Sequence, residues 1–159
     1  MRRALTVFAI AALSIGLLPT PAFADFTYFF GYSPKPTGRP ARGFALGVNM
    51  IVVGFEFEYA STDKVESRSA PGLKTFMLNG LLMTPTSDTQ LYVTAGAGFY
   101  REYALTATET TFGTNVGGGL KMRLVGPLRL RVDYRVFALR GQPVLKTAQR
   151  FYAGANVAF

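Results

Sequence analysis

The 159-residue sequence predicts an all-β protein, an up-and-down antiparallel transmembrane β-barrel of about eight strands preceded by a helical signal peptide. Three observations predict it. The N-terminus has the layout of an export signal. Segment after segment of the remainder alternates apolar with polar residues at a period of two. The connections between those segments take turns at being long and short.

The export signal comes first. Met1-Arg2-Arg3 is basic, Ala4 to Leu18 is almost wholly apolar, and Ala22-Phe23-Ala24 is the small-x-small pattern that a signal peptidase reads. The apolar run is shorter than the roughly 20 residues a membrane-spanning helix needs, and Pro19 and Pro21 break it. Cleavage after Ala24 is therefore expected. Residues 1–24 are then the signal peptide, and 25–159 are one domain, too short for two substantial ones.

The eight strands follow in order: Thr27 to Ser33, Gly43 to Met50, Val52 to Ala60, Lys74 to Met83, Gln90 to Arg101, Phe112 to Leu124, Leu128 to Leu139 and Ala148 to Phe159. Most are near the 9–11 residues that a tilted strand needs to cross the hydrocarbon core. From Leu128 to Val136 every even position is apolar or aromatic and every odd one is charged; Phe151, Ala153, Ala155, Val157 and Phe159 share one face of the last strand. Pro34 to Arg42, Ser61 to Leu73, Glu102 to Thr111 and Arg140 to Thr147 are long polar connectors, whereas those near Ile51, from Pro85 to Thr89 and at Val125-Gly126-Pro127 are short. With an even strand count both termini lie on one side of the membrane, and the four long connectors lie on the other.

Alternation also assigns an interior. If Phe55, Phe57 and Tyr59 meet lipid, Glu56 and Glu58 point inward, and the same parity turns Lys121, Arg123, Arg129, Arg131, Asp133, Arg135 and Arg150 into the lumen. Six basic and three acidic groups are expected there. A lone buried charge is costly, so Glu56, Glu58 and Asp133 are expected to pair with the Arg and Lys side chains and plug the axis. The surplus of three positive groups leaves the alternative of a narrow, anion-favouring, porin-like channel. Gly96, Gly98, Gly117, Gly118 and Gly119 are read as room for long neighbouring side chains, since no phosphate-loop Lys-Ser or Lys-Thr follows them.

Chemistry is limited by composition. The chain has no Cys and no His, so disulfides are absent, along with the commonest general base and the commonest metal ligand. No catalytic, cofactor or metal site is expected. Glu102 and Glu109 with Ser61 or Thr111 are the nearest thing to an acyl-transfer set, and they lack a positioned base. Without Arg2 and Arg3 the domain keeps 15 basic residues against 9 acidic ones. They form no run, and nucleic acid is not an expected partner of an exported chain. The loop basics Lys35, Arg39, Arg42, Lys64, Arg68, Arg140 and Lys146 are expected to lie near lipopolysaccharide phosphates. Tyr28, Phe30, Tyr59, Phe99, Tyr103, Tyr134, Phe151 and Phe159 suit interfacial girdles. A soluble exported barrel with an apolar, ligand-holding interior is the inverted reading of the same alternation.

The last strand, with apolar residues at alternate positions from Phe151 through Val157 to a final Phe159, resembles the C-terminal signature of bacterial outer-membrane barrels. With the export signal and the two-sided strands, the chain as a whole resembles the small eight-stranded family of the outer membrane protein A and X type. That resemblance implies a bacterial outer-membrane location, a filled interior, recognition of the last strand by the insertion machinery, and a non-enzymatic role in envelope integrity or surface interaction. A monomer in contact with outer-membrane lipid is expected.

Overall fold

The computed structural model describes residues 22–35, 37–65, 70–85, 88–103, 108–143 and 146–159, apart from the side chains of 108 and 109. Residues 1–21, which hold most of the expected signal peptide, and Arg68 lie outside them.

Period-two alternation with abundant Tyr, Phe, Val and Thr produces eight strands: β1 (Phe23–Ser33), β2 (Arg39–Asn49), β3 (Val53–Thr62), β4 (Gly72–Met83), β5 (Thr89–Tyr103), β6 (Thr108–Val125), β7 (Leu128–Leu139) and β8 (Thr147–Ala158). Each strand pairs antiparallel with the next, and β1 pairs with β8, so the sheet closes into a barrel without an edge. The tightest connection, Gly126-Pro127, is a two-residue hairpin loop. Gly126 takes φ 54° at its first central position, and Pro127 holds the second at negative φ, the combination a type II′ turn requires. The register shifts between Arg123 and Val125 just before that turn.

Most strands begin or end beyond their expected limits, and the connectors are correspondingly shorter. Pro34 to Arg42 was expected to be a loop, yet β2 already starts at Arg39; Glu102 to Thr111 was another, and β5 runs to Tyr103 while β6 starts at Thr108. The cause is the loss of contrast between the faces. Above the membrane belt both sides of a strand carry polar residues, so alternation no longer separates inside from outside.

Burial alternates along the strands, most regularly in β2 and β4. The outer face is apolar: Leu78 is 69% exposed, Phe30 64% and Val116 59%. The inner face holds the buried Asp, Glu, Arg, Lys and Asn side chains. This is the inverse of a soluble barrel with an apolar interior, which removes the inverted reading. A closed barrel satisfies all its ladder hydrogen bonds internally, and its apolar exterior fits hydrocarbon.

Three apolar clusters lie inside. Leu73, Met77, Tyr100, Phe137, Leu139 and Ala148 pack at the end of the long connectors. Phe29, Ala60 and Tyr152 lie below, with Phe29 and Tyr152 stacked at a centroid separation of 4.2 Å. Leu81, Met83 and Tyr92 pack toward the short turns. The charged groups fill the space between the first and last of these.

Candidate functional site

The lumen network is built from β3, β7 and β8. Parity places Glu56 and Glu58 of β3, Arg131, Asp133 and Arg135 of β7 and Arg150 of β8 on the inner face, and each is at least 97% buried. Arg131 is the hub. Its Nε donates to Asp133 Oδ2 at 2.7 Å, and its Nη1 and Nη2 both donate to the Glu56 carboxylate, the first in a close contact and the second at 3.3 Å. Arg135 Nη2 donates to Glu56 Oε1 at 2.8 Å, its Nε reaches Asp133 Oδ1 at 3.4 Å, and its Nη1 forms an ion pair with Glu58 Oε2 at 2.9 Å. Arg150 Nη1 donates to Glu58 Oε1 at 3.3 Å. Three guanidinium groups and three carboxylates thus share their charges across the axis, in the charge-assisted geometry that favours Arg over Lys.

Neutral partners complete it. Tyr92 donates its hydroxyl to Asp133, Tyr152 donates to Glu58 Oε2 at 2.7 Å, and Arg131 Nε also reaches the Tyr92 oxygen at 2.8 Å. The rings give a second attraction, with Arg131 5.2 Å from the Tyr92 centroid and Arg135 5.6 Å from that of Tyr152. Asn115 donates to Asn79 at 2.8 Å, and Asn156 donates to Thr27 at 2.8 Å. A Cβ added at Gly119 would lie 2.6 Å from the Tyr92 hydroxyl, and one at Gly117 would lie 2.9 Å from Arg135 Cγ. These glycines are where the wall makes room for the long side chains.

Lys121 sits apart from the hub, toward the short turns. It donates to Asp25, which also accepts from Asn49 Nδ2 at 2.7 Å. Arg123 and Arg129 face each other across the β6–β7 ladder at the mouth and do not enter the network: Arg123 is exposed, with Asp88 at 3.9 Å, and Arg129 is half-buried. They lie three and two residues from the tight turn, beyond the depth at which inward parity means burial.

Two calculations made from the sequence alone need correcting. Arg39, grouped there with the surface basics, is 1% exposed. It lies on the inner parity of β2, donating to Pro71 O in a close contact and to Lys35 O at 3.2 Å, and it interacts electrostatically with buried Glu102. The expected surplus of three positive charges is also absent. Among the described residues the fully buried cations are Arg39, Lys121, Arg131, Arg135 and Arg150, and the buried carboxylates are Asp25, Glu56, Glu58, Glu102 and Asp133, so five balance five. Asp25 precedes the first expected strand and Glu102 was read as loop, so neither was counted. Continuing the inward parity of β1 and β5 by one step finds both.

Of the other surface basics, Lys35, Arg42, Lys64, Arg140 and Lys146 are exposed near the long connectors. Glu102 is buried inside the wall while Ser61 stands on the outer face of β3, so these two do not meet; the side chain of Glu109 lies outside the described ones. Phe151 and Val157 face outward on β8, and Phe159 N and O pair with the backbone of Ala24 where β8 meets β1.

No family model and no curated protein sequence matches the chain. Solved structures do. The N-terminal β-barrel domain of Pseudomonas aeruginosa OprF matches with a TM-score of 0.67 at 16% identity, over 86% of this chain and 97% of that one. Neisserial surface protein A, NspA, matches with a TM-score of 0.67 at 17% identity, over 87% and 96%. The chain has the fold of the small outer-membrane β-barrels. Its apolar exterior and closed ladder agree with that fold and suit a barrel that crosses a bilayer with its strands. The same fold also carries catalysis, since the outer membrane enzyme PagL matches with a TM-score of 0.53 at 11% identity, over 84% and 98%. Fold therefore leaves the role to be argued from the residues.

Proposed function

We propose that this outer-membrane barrel is a non-enzymatic, structural element of the envelope, a cylinder braced through its lumen that presents its long connectors at the cell surface. The observation that carries this reading is the neutral, cross-linked interior. Six ion-pair contacts join Arg131, Arg135 and Arg150 to Glu56, Glu58 and Asp133, and apolar clusters cap them toward both ends. An eight-stranded barrel is only wide enough for side chains to fill, and these do so. A channel needs a wet path and, for anions, surplus positive charge; the balance of five against five supplies no such surplus.

In this reading the signal peptide is cleaved after Ala24, which takes Phe23 and Ala24 from the start of β1 and leaves Asp25 as its first residue; the termini face the periplasm, and the insertion machinery recognises β8 through Phe151, Val157 and Phe159. The barrel works as a monomer. Lys35, Arg42, Lys64, Arg140 and Lys146 stand near lipopolysaccharide. The absence of His from the whole sequence supports a role without acyl-transfer chemistry.

Planar-bilayer recording of the reconstituted protein tests the plug. No discrete conductance above the lipid background is expected. Stepwise openings in the wild-type protein would overturn the filled-lumen reading.

A further inference from the structure

We propose that the periplasmic mouth of the barrel holds a carboxylate-binding site, built on Arg123 and Arg129, that takes a small free carboxylic acid or the acidic side chain of a peptide. A cavity of about 150 Å³ opens there, lined in part by Asp25, Asn49, Gln90, Arg123 and Arg129. Arg123 follows buried Lys121 on β6 and Arg129 precedes buried Arg131 on β7, each on the same parity, so both guanidinium groups turn toward the lumen. The cavity is blind. Its floor is the Lys121–Asp25 pair, and the Arg131 hub fills the lumen behind it.

The two arginines lack a matching charge. They stand directly opposite each other across the ladder, where like charges are destabilising. Arg123 has Asp88 at 3.9 Å, but that carboxylate side chain is 90% exposed, and an ion pair so open to water contributes little. Among the described residues no ion pair joins Arg129 to a carboxylate. The register irregularity between Arg123 and Val125 is the kind of bulge that re-aims a side chain beside a site. An anion between the two guanidinium groups removes their repulsion and accepts from two planar forks, the geometry that suits a carboxylate.

The rest of the cavity selects the ligand. Asn49 and Gln90 each give one amide N–H to the barrel, to Asp25 Oδ2 at 2.7 Å and to Thr84 O at 3.1 Å, and each keeps a second. The Asp25 carboxylate on the floor repels a dianion more than a monoanion, which favours a carboxylate over a phosphate. Small-molecule pockets begin at about 300 Å³, so this smaller cavity holds one functional group and not a whole metabolite. Cleavage after Ala24 removes Phe23 from the lip and leaves the polar lining in place.

The side that the cavity faces rests on the orientation given above; binding does not. The test is a titration of the refolded chain from Asp25 onward in neutral detergent micelles, read by the Nε–H NMR signals of Arg123 and Arg129. The probes are acetate, inorganic phosphate, acetyl-Gly-Glu-Gly-amide and acetyl-Gly-Gln-Gly-amide. Acetate and the Glu peptide are expected to give saturable shifts, and the Gln peptide none. R123Q and R129Q, each read at the remaining arginine, are expected to weaken the apparent affinity at least tenfold, whereas R140Q with K146Q, at the opposite mouth, is expected to bind like wild type. Tighter binding of the Glu peptide than of acetate assigns peptide side chains as the source, and equal affinity assigns the free acid; both support the site. Shifts that do not saturate, equal binding of the Gln peptide, tighter binding of phosphate than of acetate, or affinities of R123Q and R129Q within threefold of wild type would overturn it. Heat-modifiable gel migration checks folding. The chain has no Cys, so D88C supplies a single thiol beside Arg123. An impermeant maleimide is expected to label it only after the outer membrane is permeabilised, and labelling on intact cells would overturn the periplasmic assignment whatever the micelle result.

Discussion

Glu56 is the carboxylate that two guanidinium groups need. Arg131 and Arg135 both lie against it, and neither side chain has any exposed surface. Replacing Glu56 by Gln keeps the shape but leaves the lumen one positive charge in excess, and removing one partner of a buried pair typically costs about 3–5 kcal/mol. The expected result is a loss of at least 3 kcal/mol, read from the urea unfolding midpoint in lipid or detergent. Tyr92→Phe removes one donor to Asp133 and is expected to cost less, about 1–3 kcal/mol, because Arg131 and Arg135 still hold that carboxylate. Equal stability of E56Q and wild type would mean the network contributes little to folding.

At the scale of the strand, β6 shows how wall and lumen fit. Gly119 stands opposite Tyr92 on one side and Asp133 on the other, and a Cβ there would press on the Tyr92 hydroxyl and on Val132 O at 2.3 Å. Gly119→Val is expected to destabilise by about 2 kcal/mol or more, the overpacking range. Gly80→Ala is the control: it faces lipid, its added Cβ would meet only Ala95 O at 3.9 Å, and its unfolding midpoint is expected to stay near that of wild type. A comparable loss in both would mean that strand propensity, not lumen space, sets the preference for glycine.

The strands also show where sequence reasoning succeeds and stops. β7 has the same limits, Leu128 to Leu139, in the sequence reading and in the structure, because its outer face is apolar and its inner face charged for almost its whole length. β2 does not. Arg39, Pro40 and Arg42 follow Pro34, Pro36 and Gly38, a run that reads as loop, and the strand there has a polar outer face. Where water wets one side and charges fill the other, parity persists but hydropathy no longer reports it. Buried Arg39 and Glu102 were hidden for that reason, whereas Asp25 stands ahead of the first expected strand. The partners of each charge were out of reach for another: Arg131 and Glu56 are 75 residues apart, and only the closed register brings them together.

For the whole molecule, closure and neutrality act together. The pairing of β1 with β8 leaves no free edge, and among the described residues the buried cations and carboxylates are equal in number. A barrel built this way is expected to migrate as a compact species on a gel until it is boiled. In E56Q the shift to the slow, unfolded band is expected at a lower temperature than in wild type; identical transition temperatures would argue that the ladder alone keeps the cylinder shut.

The buried ion pairs have a thermal consequence. Stripping water from charged groups becomes less costly as temperature rises, whereas the stabilisation from apolar burial levels off. A core braced by Arg131, Arg135 and Arg150 against three carboxylates therefore gains on an aliphatic core of equal volume as the membrane warms.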